Sequence, residues 1–546
     1  MIDRSIAPLE RRATGETESI MHIVVADPLP ASALDLLRAS GWTVDARNGR
    51  PAAELAETLA LADALVVRSA TNVTAALLES APRLRVIARA GTGVDNVDVA
   101  AATARGIVVM NTPGANSVSV AEHALALMLA LARSIPAADA AMKRGVWDKK
   151  RLTGEELRGK LLGIVGFGRI GREVATRARA FGMELVAHDP FIAPRAVGDL
   201  GVALVTLDEL LERADYVTLH VPATPETRHL INASTLARCK RGVRVVNTAR
   251  GELIDEAALA DGIEAGVVSG AALDVFETEP PRDNRLTQLP QVIATPHIAA
   301  STVEAQELVG TEIAVCVRDY LREGVIRNAV NFPSIPQEDF VKLRPFLLLA
   351  DRLGAMAAQL AAGGAESMGI RYYGPLTDRY ADVLGSAAIA GALRCFTAGT
   401  VTAVNARAAA ADRGVEIIES RSSRPRDFTN VISVKLRTAA RERWVEGTVF
   451  ENGSARICSL DGVAVETPLE GTMIVLANED QPGVIGDVGT ALGRRRVNIG
   501  SFALGRNEHG AVGVITVDAT DDQSLAGAVD DIRKLKPVRE AALVRL

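Results

Sequence analysis

Short apolar runs alternate with amphipathic helical patterns along residues 21–300. The first runs are MHIVVAD, ALVVRS, RVIARAG and IVVMNTP, with the helical patterns ALDLLRAS and AAELAETLA between them. A second series contains LLGIVGFG, MELVAHDP, YVTLHVP, VRVVNTARG, VSGAALDVF and QVIATPHI. This alternation is typical of βαβ units, whose strands form a parallel sheet. One long helix is predicted at 117–142, between the two series. We therefore expect two α/β lobes with a cleft between them.

The pattern changes after residue 330. A further helix is predicted at 301–325, and the prolines of NAVNFPSIP then mark a boundary. Residues 337–470 mix helical patterns with alternating strands, which predicts an α+β domain. Residues 471–546 give the order strand, helix, two strands, helix, strand, which is the ferredoxin-like βαββαβ plan. The predicted fold class is thus α/β, with two Rossmann-like parallel-sheet lobes followed by an α+β domain and a ferredoxin-like domain.

Composition narrows the classes of function. A chain of 546 residues has room for three or four domains. Its net charge is −6 and no block of Lys and Arg dominates, which argues against a nucleic-acid partner. The four cysteines are far apart, so we expect neither a metal site nor a disulfide framework. Residues 1–20 form a polar tail without the apolar core of a signal peptide, and no apolar run is long enough to cross a membrane. We expect a cytoplasmic protein.

A dinucleotide-binding pattern follows the first strand of the second series. Gly166, Gly168 and Gly171 form GxGxxG between the strand LLGIV and a helix, and Asp189 ends the next strand. The glycines allow the backbone to approach a pyrophosphate, and the helix N-terminus offers it N–H donors. Asp189 can accept hydrogen bonds from ribose hydroxyls and repels a 2′-phosphate, which favours NAD over NADP.

Three residues at predicted strand ends suit hydride transfer from a hydroxy acid. His297 follows QVIATP, Arg250 follows VVNTA, and Glu279 lies in the loop FETEPP. A carboxylate on one imidazole nitrogen fixes the tautomer and raises the pKa of the ring. A guanidinium holds a substrate carboxylate in a bidentate manner. His297 could then accept the hydroxyl proton as the hydride leaves.

The runs GIVGFGRIGREVATRARAFGMELVAHDP, VVNTARGELIDEAAL, ALDVFETEPP and TPHIAAST resemble the D-isomer-specific 2-hydroxyacid dehydrogenases. The resemblance covers residues 21–330. It implies a substrate lobe from 21–117 and 302–330, and an NAD-binding lobe from 118–301. It assigns catalysis to Arg250, Glu279 and His297. It assigns the cofactor to Gly166, Gly168, Arg169, Ile170, Gly171, Asp189, Thr224, Thr248, Ala249 and Asp274, and the substrate to Arg68, Ser69, Gly91, Thr92, Gly93 and Asn96.

The C-terminal part resembles two further domains. Residues 471–546 are similar to an ACT domain, in which Asp480 and Asn498 match positions that contact serine in related enzymes. Residues 337–470 resemble the intervening domain of the longer D-3-phosphoglycerate dehydrogenases. These resemblances imply oxidation of 3-phospho-D-glycerate to 3-phosphooxypyruvate by transfer of the C2 hydride to NAD, the first step of L-serine biosynthesis. They also imply a homodimer or homotetramer, with L-serine as the candidate effector of the ACT domain; the alternative is an ACT domain that serves only dimerisation. A phosphorylated substrate needs further positive charge, and Arg68 is the leading candidate for binding the phosphate.

Two alternatives remain open at this point. The chain could be another dehydrogenase of the same family, of the glyoxylate/hydroxypyruvate or lactate type, although the long C-terminal part argues against it. It could also be a non-catalytic NAD-sensing regulatory protein on the same fold. Such a protein would not require Arg250, Glu279 and His297 together.

Overall fold

The computed structural model describes residues 20–193, 197, 200–397, 399–424, 426–508, 510–518 and 521–546. The predicted N-terminal tail, residues 1–20, lies outside this range apart from Ile20.

The first lobe is a five-stranded parallel sheet with helices against it. Its strands are β1 (His22–Val25), β2 (Thr43–Asp45), β3 (Ala64–Val67), β4 (Val86–Arg89) and β5 (Val108–Met110). Its helices are α1 (Ala31–Arg38), α2 (Ala52–Leu59), α3 (Ala75–Glu79) and α4 (Val99–Ala104). The strand order is β2-β1-β3-β4-β5. Both faces of the sheet are covered, so β1, β3, β4 and β5 are almost wholly apolar, whereas the edge strand β2 is partly exposed.

The second lobe is a seven-stranded parallel sheet in the order β12-β11-β10-β9-β6-β7-β8. The strands are β6 (Leu161–Val165), β7 (Glu184–His188), β8 (Ala203–Leu204), β9 (Tyr216–Leu219), β10 (Val243–Asn247), β11 (Val268–Leu273) and β12 (Val292–Ala294). The helices are α5 (Ser117–Arg133), α6 (Ile135–Lys143), α7 (Arg169–Ala180), α8 (Leu207–Arg213), α9 (Ala233–Leu236), α10 (Glu256–Glu264) and α11 (Arg285–Gln288). A 3-10 helix spans Gly251–Leu253. The order changes direction beside β6, which is where open α/β sheets bind ligands.

The single helix predicted at 117–142 is wrong, because the chain forms two helices there. Ser134 ends α5 in the left-handed conformation, with φ 50°, and Pro136 lies in the first turn of α6. A proline has no N–H to donate and clashes with the carbonyl four residues earlier, so it cannot continue α5. The two helices are bent by 65°.

The chain then returns to the first lobe. Helix α12 (Val303–Glu323) packs against α1, and its buried side chains join the core formed by β1, β3, β4 and β5. The first lobe is therefore built from two separate parts of the sequence.

The intervening segment forms a mixed six-stranded sheet in the order β14-β13-β15-β16-β17-β18. The strands are β13 (Ala365–Tyr373), β14 (Glu416–Ser422), β15 (Val431–Thr438), β16 (Glu442–Val449), β17 (Ala455–Leu460) and β18 (Val463–Pro468). The helices are α13 (Gln337–Ala361), α14 (Pro375–Arg379), α15 (Ala381–Arg394) and α16 (Ala406–Asp412). Helices α13 and α15 cross closely at Gly354 and Gly391.

The C-terminal unit has the predicted βαββαβ order. It consists of β19 (Thr472–Asn478), α17 (Val484–Arg494), β20 (Ile499–Asn507), β21 (Gly510–Val517), α18 (Asp522–Arg533) and β22 (Val538–Arg545). Its antiparallel sheet has the order β20-β21-β19-β22. The predicted fold class is thereby confirmed for all four units, whereas the domain boundaries at single residues stay predictions.

Both faces of this last sheet are buried. Ile474 and Leu476 point into a core shared with α17 and α18. Met473 and Val475 alternate with them and join the core of the intervening domain. Because successive side chains of a strand point to opposite faces, this explains why the run MIVLA in β19 is continuously apolar.

Across the described ranges, no single helix is both long and apolar enough to cross a membrane, and only the bent pair α5–α6 meets that test of length and composition together.

The crossing of α13 and α15 gives a stability prediction. A Cβ at Gly354 would lie 2.0 Å from the carbonyl oxygen of Ala388, so Gly354→Ala forces the helices apart. We expect a loss of roughly 1–3 kcal/mol in the free energy of unfolding, as for other overpacked cores. Gly489→Ala on α17 is the matched control, because no atom lies within 4 Å of the added Cβ. Calorimetry should show a lower melting temperature for Gly354→Ala alone, and equal behaviour of the two variants would contradict the close crossing.

Candidate active site

The carboxyl ends of strands from both lobes face one cleft. Arg250, which follows β10, reaches across to Asp95 in the loop after β4. Its Nε and Nη2 atoms lie 3.0 and 2.9 Å from the Asp95 Oδ2 atom. A Cβ on Gly93 would lie only 1.9 Å from the Arg250 Nη2 atom. The predicted catalytic arginine and the predicted substrate loop therefore meet in the cleft.

The predicted imidazole–carboxylate pair is present in the same lobe. The Nδ1 atom of His297 lies 2.8 Å from the Oε2 atom of Glu279, and the backbone N–H of Phe276 donates to the Oε1 atom at 3.2 Å. The hydrogen bond to Glu279 raises the pKa of His297. Burial raises the pKa of Glu279, but the hydrogen bond from His297 and the His297 charge outweigh it, so the pKa is lowered overall. The pair can therefore hold a proton on the imidazole while the carboxylate stays charged.

A buried carboxylate holds the loop that carries His297. Asp274 is fully buried, and it accepts hydrogen bonds from the Thr295 hydroxyl at 2.6 Å and from the N–H groups of Ile298 at 2.9 Å and Ala299 at 2.8 Å. His123 on α5 lies 3.4 Å from the same carboxylate. Asp274 is therefore the anchor of this loop in the structure, and its direct contact with a cofactor stays a prediction.

His297 itself has a left-handed backbone, with φ 53°. A residue other than glycine adopts this conformation only when its surroundings impose it. Here the His297 N–H donates to the carbonyl of Asp274 at 2.8 Å, which fixes the turn. The imidazole is therefore positioned by the loop and by Glu279 together.

The glycine-rich loop has the form that a pyrophosphate requires. A Cβ on Gly166 would lie 2.7 Å from the carbonyl oxygen of His220, and one on Gly171 would lie 2.2 Å from that of Gly166. Gly168 faces open space and caps α7. The carboxylate of Asp189 accepts a hydrogen bond from the Phe167 N–H at 2.9 Å, which ties the end of β7 to this loop.

Two buried polar atoms show that this site fits a ligand. Among the described side chains, the Thr248 hydroxyl and the Nδ1 atom of His220 are buried without a hydrogen-bond partner. Buried polar groups are nearly always satisfied, so a bound molecule is expected to provide their partners. Burial lowers the pKa of His220 to about 3, which keeps this ring neutral. With the glycine cradle and Asp189, these groups suit NAD.

The other predicted cofactor residues surround the same loop. Arg169 begins α7 and donates from Nη1 to the carbonyl of Pro113 at 2.5 Å, and Ile170 follows it. Thr224 lies in the loop after β9, and Ala249 directly precedes Arg250. Their contacts with the cofactor stay predictions. Within the described ranges, no group of three or more His, Cys, Asp or Glu side chains is arranged to hold a metal ion.

The predicted substrate residues Arg68 and Ser69 lie in a loop of the first lobe that side-chain hydrogen bonds hold in place, called here the braced loop. The Asp27 carboxylate accepts hydrogen bonds from the N–H of Arg68 at 2.6 Å and the hydroxyl of Thr71 at 2.7 Å. The Asn96 side-chain amide donates to the carbonyls of Arg68 and Thr71 at 2.7 and 2.6 Å. Asn96 thus supports the loop, while the neighbouring Ser69 is exposed. Thr92 donates to the Asn116 side chain at 2.9 Å.

Arg89 is a site residue that the sequence reasoning missed. It ends β4, and its Nε atom is buried without a hydrogen-bond partner in the described structure. A Cβ on Gly91 would lie 1.5 Å from its Nη1 atom, so a larger residue would displace the guanidinium, and the φ of 150° at Gly91 also favours glycine. Burial lowers the pKa of Arg89, and the nearby charges of Arg250 and Arg68 lower it further. A bound anion would offset this repulsion. The sequence feature that could have identified Arg89 is its position at the end of an apolar run, which is also the position of Arg250.

The two predicted effector residues lie on the C-terminal unit, far along the chain from this cleft. Asp480 lies in the turn after β19, and its carboxylate is 3.4 Å from the Arg506 guanidinium. Asn498 precedes β20 and donates to the Asp518 carboxylate at 2.5 Å. Both side chains are on exposed residues, and their role stays a prediction.

Comparisons with known family models follow the same division of the chain. The D-isomer specific 2-hydroxyacid dehydrogenase NAD binding domain matches residues 125–299. The D-3-phosphoglycerate dehydrogenase intervening domain matches residues 342–461, and the ACT domain matches residues 472–537. Separate family models thus match the NAD-binding lobe and both C-terminal domains.

Curated relatives cover nearly the whole chain. The D-3-phosphoglycerate dehydrogenase of Methanocaldococcus jannaschii is 41% identical over 530 residues, which is 96% of this chain and 100% of that protein. That of Mycobacterium tuberculosis is 41% identical over 523 residues, 94% and 98% of the two chains. The site and these matches define an NAD-dependent oxidoreductase of the D-isomer-specific 2-hydroxyacid dehydrogenase class. Within that class, the chain belongs to the D-3-phosphoglycerate dehydrogenase family.

Solved structures match over 57% of the chain. A Thermus thermophilus protein is 39% identical with a TM-score of 0.53, and all of its chain is covered. A glyoxylate reductase from Paecilomyes thermophila is 32% identical with a TM-score of 0.54, and 99% of its chain is covered. The expectations of the family, the NAD cofactor and the enzyme class are confirmed.

Proposed function

We propose that this chain oxidises 3-phospho-D-glycerate to 3-phosphooxypyruvate in the cytoplasm, with transfer of the C2 hydride to NAD, as the first step of L-serine biosynthesis. The observation that carries the proposal is one cleft containing the His297–Glu279 pair and the guanidinium of Arg250, with Arg89 nearby. The relatives that match almost the entire chain are D-3-phosphoglycerate dehydrogenases.

Each side chain has a role in this reaction. Arg250 binds the substrate carboxylate, because a guanidinium matches the two oxygens of a carboxylate. His297 accepts the proton of the C2 hydroxyl, and Glu279 stabilises the imidazolium that results. The loop from Gly166 and the carboxylate of Asp189 would hold NAD, which would supply the hydride acceptor when bound. In the reverse direction His297 returns the proton.

The phosphate of the substrate needs further positive charge. Arg68 lies in the braced loop of the first lobe, and Arg89 has a buried Nε atom without a partner in the described structure. We assign the phosphate to these two arginines. Gly91 is then needed because any larger residue would displace the Arg89 guanidinium.

The C-terminal unit supports the regulatory part of the proposal. It matches the ACT domain, and Asp480 and Asn498 are exposed on it. We assign L-serine as its effector, and a homodimer or homotetramer as the assembly.

The substrate loops of the first lobe contain the remaining proposed site residues, which are Ser69, Thr92, Gly93 and Asn96.

The direct test is NADH formation, followed by absorbance, with 3-phosphoglycerate, D-glycerate and D-lactate. Charge-assisted hydrogen bonds to the phosphate should raise kcat/KM for 3-phosphoglycerate about 100-fold or more above that for D-glycerate. L-serine added to the same assay should lower the rate. Turnover without any preference for the phosphate would favour another 2-hydroxyacid dehydrogenase. Tight NADH binding without turnover would favour the NAD-sensing protein.

Replacing Arg89 with Met separates phosphate binding from catalysis. We expect KM for 3-phosphoglycerate to rise about 100-fold, because a charged partner of the phosphate is lost. KM for D-glycerate should change less than about threefold, which makes this substrate the internal control. Arg68→Met should behave in the same way. Equal losses with both substrates would show that Arg89 only supports the fold of the loop.

Replacing Glu279 with Gln should move the pH profile of the reaction. Glu279 raises the pKa of His297, so Glu279→Gln lowers it. Oxidation needs neutral His297, and kcat/KM therefore increases with pH until the His297 pKa is passed. In the variant this limb should lie about one pH unit lower, with a reduced plateau. The control is Glu277→Gln, because Glu277 contacts His229 and not His297. An unmoved limb in Glu279→Gln would assign the titration to another group.

A further inference from the structure

A second cavity lies at the joint between the first lobe and the intervening domain. It has a volume of about 170 Å³. The first lobe contributes the segment 82–85, the turn at 105–106 and the end of α12, and the intervening domain contributes α13, α15 and the segment 400–404. None of the proposed catalytic, cofactor or substrate residues is among the described residues that line it. The cavity is therefore separate from the catalytic cleft.

The wall of this cavity is mainly apolar and contains aromatic side chains. Tyr320, Phe332 and Phe340 line it together with aliphatic residues of both units. An apolar cavity of about 150 Å³ can hold one benzene molecule. The cavity therefore has room for a single ring or a short branched chain. Burial raises the pKa of Tyr320, so its hydroxyl stays neutral.

The charged groups of the wall are unbalanced. Four arginines and one acidic residue line the cavity: Arg83, Arg85, Arg105, Arg394 and Asp351. Arg394 forms an ion pair with Asp351 inside the wall. Arg83 lies 3.5 Å from Asp63, which is outside the wall. The other two arginines of the wall have no carboxylate partner among the residues that the structure describes.

Those two residues are Arg85 and Arg105. The Arg85 guanidinium lies over the ring of Tyr320, 5.6 Å from its centre, and pairs with no acidic side chain in the described part of the chain. The Arg105 side chain makes no hydrogen bond or ion pair with any described residue, and it is only partly exposed. A guanidinium in this situation is suited to a carboxylate, which it binds through two parallel hydrogen bonds.

We propose that this cavity is a second small-molecule site, which binds a monocarboxylate with a compact apolar body, such as a single ring or a branched chain. The apolar part lies among Tyr320, Phe332 and Phe340, and the carboxylate pairs with Arg105.

The position of the cavity connects its occupant to the substrate lobe. Beside it, the Thr402 hydroxyl donates to the carbonyl of Gly106 at 3.0 Å, and the Asn405 amide donates to that of Ala104 at 3.0 Å. A ligand that contacts both walls would stabilise this joint. Strand β4 starts one residue after Arg85 and ends at Arg89 in the catalytic cleft. The two sites thus lie at opposite ends of one short strand.

The test uses the full chain and the probe 3-phenylpropionate, with saturating NADH present to occupy the catalytic cleft. Calorimetry and ligand-observed NMR should detect saturable binding in the millimolar range, as expected for a ligand of this size. The neutral analogue 3-phenylpropanol should bind about tenfold more weakly, because it cannot pair with Arg105.

Three variants locate the probe. Arg105→Gln should weaken binding of 3-phenylpropionate about tenfold and leave that of 3-phenylpropanol unchanged. Ala387→Leu fills the cavity from α15 and should abolish the binding of both compounds. Arg38→Gln is the matched control, because Arg38 lies on α1, outside the cavity, and should not alter either affinity. Melting temperatures close to that of the unchanged chain confirm that each variant is folded.

The proposal is overturned if the acid does not bind at about 10 mM, or if the alcohol binds as tightly as the acid. It is also overturned if Arg105→Gln and Ala387→Leu both bind the acid as the unchanged chain does. Since the readout is binding and not turnover, these results are independent of the proposed oxidation of 3-phosphoglycerate.

Discussion

The buried carboxylate of Asp274 is the constraint on which the catalytic centre depends. Two backbone N–H groups and the hydroxyl of Thr295 all donate to it, so the turn that carries His297 has little freedom to move. An unpaired charge at this depth would be costly, and the hydrogen bonds offset that cost. The left-handed backbone of His297 and its pairing with Glu279 both follow from this fixed turn. The structure thus fixes in place the imidazole that we propose as the proton acceptor.

The cleft as a whole is assembled from arginines that repel one another. Arg89 and Arg250 lie near enough for the charge of Arg250 to lower the pKa of Arg89, and Asp95 and Asp27 compensate part of this repulsion. The unbalanced positive charge of this site is neutralised only when an anion binds. The site therefore favours substrates that carry two negative groups, such as a carboxylate and a phosphate. Glycines at 91 and 93 permit this crowding, because any side chain there would collide with a guanidinium.

Most strands and helices of the two lobes can be predicted from the sequence, because short local motifs determine them. A GxGxxG turn after a buried strand, and polar residues at strand ends, have few other interpretations, so Gly166, Arg250 and His297 lie where they were predicted. Arg89 was missed because an arginine at the end of a strand is common, and only the fold shows that its Nε atom is buried. The inward hydrogen bonds of Asp274 were not predictable either, since they depend on how the 295–299 turn folds back.

The intervening domain was harder to predict for a different reason. Strand β14 is an edge strand with mostly exposed side chains, and it pairs with β13, which lies more than 40 residues earlier. Neither alternation nor local turn signals identify such a pair. The break between α5 and α6 was predictable in principle, because Pro136 was visible, but the apolar pattern on both sides of it favoured a single helix.

The burial of the last sheet on both faces has a consequence for how this protein can be divided. Met473 and Val475 belong to the same core as α13. The side-chain amide of Gln359 donates to the backbone carbonyl of Arg545 and accepts from its backbone N–H. The C-terminal unit is therefore not an autonomous module that can be cut off or transplanted at its sequence boundary. Cutting the chain near residue 471 would leave two fragments, and each would expose an apolar surface that the other fragment covers in the intact protein.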